Sequence, residues 1–263
     1  LNKASMLIKT FFRIFFENLN TKKSTRKNIS ILFMILALHL MFVIIGMNQP
    51  FQGDEIVFSE SAKGVLNTGK PIFDYGALNP NFQGLWHPPL YIYLMSLFVF
   101  LFGKSIYAFR AVSALFNFLT IILVYLIIKE ILKDNKNKEK YALIGVVLYA
   151  LNPLAIQSSI LLDIDGGLLN FSIYLFLYLF VKDKNFYYLF PSLLLIFWTK
   201  ESGMVILFVS LMLFCLMTLN FKKMFNIILI YLISGILFVI SFFDYTKIFG
   251  LNFLMPFKHN YSS

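Results

Sequence analysis

Three groups of charged side chains lie at the edges of apolar runs, where a carboxylate or an imidazole can face water and lipid together. Asp54 and Glu55 follow Gly53 in the stretch QPFQGDEIVFSE. Two adjacent acids a few residues beyond an apolar run are one candidate for chemistry. The plainer reading is a helix start, with Gly53-Asp54 as the cap signal of a helix from Asp54 to about Asn67. His87 stands before Pro88-Pro89, which fix the chain and open the next helix. A lone interfacial histidine is more commonly a hydrogen-bonded structural residue than a ligand. Asp163 and Asp165, two apart in LLDIDGG, can share a divalent cation in an oxygen-rich site, or can end a helix. Two acids beside apolar spans are costly unless paired or wet, which favours a role in function. Arg110 and the Lys200-Glu201 pair can hold a phosphate, or snorkel to the interface. His39, in mid-run, reads as a packed polar contact, and Asn152-Pro153 as a kink.

The elements that must position these groups are membrane helices. Hydrophobic residues make up 59% of the 263 and charged residues 14%, against about 25% charged in a typical soluble domain. Mean hydropathy is +0.76. Apolar runs at 29–47, 107–128, 141–161, 166–181, 186–198, 203–219 and 224–243 approach or exceed the roughly 17–20 residues that cross a bilayer. The single cysteine, Cys215, lies in such a run and says nothing of redox compartment.

A net charge of +10 would suggest nucleic acid in a soluble chain. Here the placement of the charge along the chain decides. Seven Lys and Arg fall in residues 1–28, where Met6 to Phe16 can form an amphipathic surface helix. Lys-rich connectors follow at 133–140, 182–185 and 221–223. The segment 89–103 is about 22 Å long as a helix, short for a core of about 30 Å. If it does not cross, sixteen of the 23 basic residues share the side of the N-terminus, and eight of the thirteen acids lie on the other. The positive-inside rule then places the N-terminus in the cytoplasm, the acids outside, and 89–103 as a juxtamembrane helix. The expected architecture is an all-α polytopic bundle of about seven spans. Residues 1–28 form a basic cytoplasmic segment, 29–243 the transmembrane domain with a first outer loop at 48–106 carrying juxtamembrane helices, and 244–263 an outer C-terminal segment.

No glycine-rich nucleotide loop, CxxC pair, HExxH or GxSxG is present, so nucleotide-dependent and zinc-protease chemistry lack support. The clusters in their order resemble the protein O-mannosyltransferase and aminoarabinose-transferase group, which has the GT-C membrane fold. The resemblance is carried by Gly53-Asp54-Glu55, HPPLY at 87–91 with FG at 102–103, Ala108-Phe109-Arg110 with Ser113-Ala114-Leu115, LLDID at 161–165, and TKESG at 199–203. It implies an inverting glycosyltransferase, hexosyl- or mannosyltransferase-like, that moves a sugar from a polyprenyl-phosphate carrier to an acceptor hydroxyl at the outer face of the plasma membrane. Asp54, with Glu55 beside it, is then the expected general base. Lys200, Glu201, Arg110 and His87 are expected around the lipid phosphate, and Asp163 with Asp165 around a divalent metal cation. The partners implied are membrane lipids, the lipid-linked sugar and an acceptor protein, lipid or glycan, with no nucleic acid. Members of the group usually carry more spans and often a soluble C-terminal domain, so a chain ending at Ser263 reads as C-terminally truncated.

Two other readings compete. A transporter or flippase would carry charged or broken-helix residues in mid-span, yet apart from His39 and Asn152-Pro153 the charges lie at span ends. An inactive truncated relative acting as a membrane scaffold is the other.

Overall fold

A computed structural model of the chain describes residues 23–71, 73–74, 83–84 and 87–249. The described elements are helices α1 (Lys23–Gly46) and α2 (Asp54–Thr68), strands β1 (Phe73–Asp74) and β2 (Gln83–Gly84), and helices α3 (Leu90–Phe102), α4 (Ile106–Ile131), α5 (Lys138–Ala150), α6 (Pro153–Ile160), α7 (Gly167–Val181), α8 (Phe186–Thr199), α9 (Glu201–Met217) and α10 (Phe221–Phe249). The two short strands pair antiparallel, Phe73 opposite Gly84. The expected Met6–Phe16 helix, Trp86 and most of the C-terminal segment lie outside the described residues.

α1, α4 and α10 are each long and apolar enough to cross a membrane, and α5 with α6, which meet at a bend of 61°, pass the same test when taken together. α3, α7, α8 and α9 are shorter apolar helices. Phe33, Ile45, Leu148 and Met217 expose most of their surface, which suits lipid rather than water as the solvent of this face. The protein is an integral α-helical membrane protein. Two of its helices extend beyond the apolar runs. α1 reaches back to Lys23, and α10 runs to Phe249, past the expected boundary at 243. The extra turn of α10 is held by rings: Tyr245 packs edge-on to Trp198 and its hydroxyl meets that of Tyr93 at 3.1 Å.

α4 is the axis. Half of its apolar stretch is buried, against 28% for α1 and α10. Ala142, Val146 and Ala150, spaced one turn apart on α5 and shut off from solvent, let that helix approach α4 closely. Gly167 does the same for α7. A Cβ there would stand 2.3 Å from the Ser113 carbonyl oxygen of α4.

α3, at 13 residues, is short for a bilayer core of about 30 Å. Its first turn meets α4 at Ser113, through Tyr91, and its last residue lies just before α4 begins. Both contacts lie near the start of α4, at the end of the bundle that carries Arg110.

The bend at Asn152-Pro153 frees backbone groups in the apolar interior, where each needs a partner. Asn152 caps α6 by accepting from the Leu154 amide at 2.8 Å. His39 of α1 contacts the Ala150 carbonyl at 2.7 Å and the Ser159 hydroxyl at 3.0 Å. Asn117 of α4 donates to the Ala155 carbonyl and Ser159, and accepts from Tyr149 at 3.0 Å. His39 is thus the packed polar contact expected of it. Replacing it by leucine should lower stability on the order of 1–2 kcal/mol, because the Ala150 carbonyl loses its partner. Thermal unfolding in detergent reads this as a lower midpoint, and an unchanged one would show that the bend holds without the histidine.

Candidate functional site

One end of the bundle gathers the chemically capable residues from five separate stretches of chain. Its foundation is a buried ion pair. Arg110, on the second turn of α4, donates to both Glu55 oxygens through Nη2 at 2.9 and 2.8 Å, and through Nε at 3.1 Å. Its Nη1 donates to the carbonyls of Met47 and Gln49, each at 2.7 Å. The Glu55 carboxylate also accepts from the backbone amides of Gln52 at 3.1 Å and Leu162 at 2.9 Å. The pair therefore ties together the end of α1, the start of α2, α4 and the connector before α7. Every guanidinium N–H has a protein acceptor, so Arg110 has no donor left for a phosphate in this arrangement. Glu55 is likewise occupied. The pairing of these two charges escaped the sequence reading, although a signal existed: opposite charges that both border apolar spans must find a partner when buried.

Asp54 stands differently. Gly53, at φ +55°, takes a backbone shape that favours glycine, and caps α2 without a side-chain bond. Asp54 is thus the first helical residue rather than the cap, in a first turn whose dipole favours a carboxylate. Its side chain is exposed while Glu55, the next residue, is buried.

Across from α2, Leu162 and Ile164 are buried anchors at 1% and 2% exposure. The acids between and after them, Asp163 and Asp165, are left half-buried and exposed. Asp163 accepts from the Asp165 amide at 3.0 Å. Burial pushes its carboxyl above the ordinary range. The Asp165 amide opposes this, the Asp165 charge adds to it, Lys200 opposes it, and the Asp54 charge adds slightly. Asp54, Asp163, Asp165 and Lys200 thus share one electrostatic neighbourhood.

Lys200 breaks the helical path between α8 and α9, with extended backbone at φ −159°. Its ammonium group pairs with Asp165, whose side chain is 50% exposed. Next to it, the Glu201 carboxylate accepts from His87 Nδ1 at 3.1 Å. Below these pairs Tyr91 is fully buried against the Ser113 hydroxyl at 2.7 Å, and burial holds its phenol protonated. Of the residues singled out in the sequence, six therefore form three pairs, the ion pairs Glu55–Arg110 and Asp165–Lys200 and the hydrogen-bonded His87–Glu201, with Asp54 and Asp163 beside them. The cation expected between Asp163 and Asp165 finds a poor donor set: a lysine engages one acid, and among the described residues no three His, Cys, Asp or Glu side chains are grouped to hold a metal. No metal enters the chemistry proposed for this site.

The opposite end carries Lys129, Glu139, Asp183 and Lys223, joined by Lys129–Glu139 and Lys223–Asp183 pairs. The lysine-rich connectors thus lie at the end opposite Asp54, Glu55, Asp163, Asp165 and Glu201, in the sense that the charge pattern predicts.

The protein family described as dolichyl-phosphate-mannose-protein mannosyltransferase matches residues 86–244, more than half of the chain. No curated protein and no solved structure matches it. The matched range takes in His87, Arg110, Asp163, Asp165, Lys200 and Glu201, while Asp54 and Glu55 precede it.

Glu55→Gln leaves a buried guanidinium without its counter-charge and should cost about 3–5 kcal/mol. A loss of folded protein or a large fall in unfolding midpoint is the expected outcome, and near-parental stability would remove the pair from its structural role. Asp163 has the opposite sign. Its raised pKa means protonation favours the folded state, so its contribution is fully present below the ordinary value of 3.8 and is lost as pH rises through the folded-state pKa. Asp163→Asn should therefore be more stable than the parent at neutral pH, with the gap closing below about pH 4. A variant less stable at neutral pH would contradict this.

Proposed function

The chain belongs to the dolichyl-phosphate-mannose-protein mannosyltransferase family, membrane glycosyltransferases of the GT-C kind, and on that premise we propose that it transfers a sugar from a polyprenyl-phosphate carrier to an acceptor hydroxyl at its acid-bearing end. That end faces outward in this reading, because the lysine-rich connectors occupy the other.

The observation that carries the proposal is the contrast between neighbours. Glu55 is locked to Arg110, and the same helix start presents the Asp54 carboxylate to solvent beside Asp163 and the Lys200–Asp165 pair. In the transfer, the acceptor oxygen bonds to the anomeric carbon as the bond from that carbon to the carrier phosphate oxygen breaks. Asp54 takes the hydroxyl proton, and the electron pair leaves with the polyprenyl phosphate. Attack opposite the leaving phosphate inverts the anomeric centre.

The leaving phosphate gathers negative charge and needs a cation close by. Lys200 can supply it, since an exposed partner such as Asp165 holds it weakly and a phosphate can displace it. His87, tied to Glu201, is placed to donate to the same phosphate in its protonated form. Arg110 acts at one remove, by fixing the backbone of α2. Asp163, kept in its raised-pKa setting, positions a sugar hydroxyl.

The transport reading draws on the bent α5–α6 pair and on His39. Both nitrogens of that imidazole are occupied by protein groups, Ala150 and Ser159, which suits a structural strut better than a conduction path.

Membranes carrying the chain, incubated with a polyprenyl-phosphate sugar and an acceptor, should transfer the sugar with inverted configuration. Asp54→Asn should slow transfer by about 10²–10⁴-fold without loss of folded protein, since Asp54 caps nothing. Equal transfer by parent and variant would remove Asp54 as the base. Transbilayer movement of the carrier without transfer would favour the transport reading.

A further inference from the structure

At the lysine-rich end, away from the proposed reaction, α7, α8 and α10 enclose a cavity of about 510 Å³. Its construction repeats one device twice. α7 and α9 both finish in the same left-handed turn, with Asp183 at φ 48° and Leu219 at φ 50°. In each, the amide two residues past the C-cap donates to a carbonyl five residues back: Lys184 to Leu179 and Asn220 to Cys215, both at 3.0 Å. Non-glycine residues adopt that shape at a cost of about 1 kcal/mol or more each. The result is two tight hairpins that bring the first turns of α8 and α10, with their positive dipole ends, to one rim.

Three ammonium groups, Lys184, Lys222 and Lys223, line that rim with Asn185 and Asn220, against one acid, Asp183. Lys223 is paired with Asp183 at 2.8 Å and sits 4.1 Å over the Phe180 ring. One lysine is therefore neutralised, and the rim keeps an excess of two positive charges. The floor is apolar, from Phe176, Phe180 and Ile227, and it opens between helices whose outer faces meet lipid. A cationic rim above a greasy floor at a bilayer surface matches an anionic headgroup with acyl chains beneath it.

We propose that this cavity is a specific binding site for an anionic phospholipid of the leaflet at the lysine-rich end, with its phosphate at Lys184 and Lys222 and its chains against Phe176 and Ile227. The occupant is fixed by charge complementarity and by the floor: a free phosphate satisfies the rim and leaves the floor wet, and a zwitterionic lipid brings its own cation against the lysines. The proposal stands independently of the sugar transfer at the other end.

Native mass spectrometry of the full chain in detergent tests it, with phosphatidylglycerol, phosphatidylcholine or inorganic phosphate added. Phosphatidylglycerol should stay bound where phosphatidylcholine does not. Lys184→Gln with Lys222→Gln should weaken its retention on the order of 10- to 30-fold, and the two arginine variants together should restore it. Lys133→Gln with Lys136→Gln removes equal charge from the same face outside the cavity, and should leave retention unchanged. Equal loss in that control would mean a diffuse charge effect and overturn the site. So would equal retention of phosphatidylcholine, full competition by inorganic phosphate, or a second copy of the chain as the species lost in the Lys184/Lys222 variant.

Discussion

A guanidinium in the interior of a membrane protein is tolerated when every one of its donors is matched. Arg110 meets that condition through one carboxylate and two backbone carbonyls, and this constraint sets the geometry of the whole acid-bearing end. The Glu55 oxygens are filled by Arg110 and two amides, so α2 cannot slide or rotate without stranding a charge. Asp54 inherits its position from that lock. Asp163 inherits its own from the same source, because the Leu162 amide that precedes it also donates to Glu55. The pair contributes position more than net stability, since the desolvation of two charges offsets much of their attraction.

The bilayer imposes the second constraint. Helices of 14 to 17 residues, as α7, α8 and α9 are, run to about 21–26 Å, less than the apolar thickness, so they need neighbours, tilt or local thinning. α4, at 26 residues, supplies the full-length surface against which they pack. The close approach at Gly167, where a side chain would run into the backbone at Ser113, starts α7 directly under the acid-bearing connector. A larger residue would push that connector away from α4 and from Glu55. Gly167 is thus explained by the close approach of two helices, whatever role Asp165 has in chemistry.

The membrane class, the order of helices and the gathering of the lysine-rich connectors at one end were legible in the sequence because hydropathy and charge act through composition over whole segments. The bend at Asn152-Pro153 was legible because proline acts locally. The sequence also singled out the residues that meet at one end. Their partnerships were not legible. Glu55 and Arg110 are 55 positions apart, His87 and Glu201 114 apart, and nothing in either local pattern specifies the other. Helix ends were missed for a related reason: α10 continues to Phe249 on account of Trp198 and Tyr93, residues of other helices.

The three side-chain pairs of the acid-bearing end grade from fixed to exchangeable, and the grading follows solvent access. Glu55–Arg110 exposes 5% and 0% of its side chains, His87–Glu201 21% and 14%, and Lys200–Asp165 15% and 50%. Exchange of partners needs water or a substrate to replace the charge being released, so it is cheapest where exposure is greatest. A site that must bind an anionic group and release it needs such a cation, and it needs the surrounding backbone not to follow when the cation moves. A fully exposed cluster would meet the first need alone, and a fully buried one the second. Placing the locked pair one residue from Asp54, and the loose pair across from it, meets both.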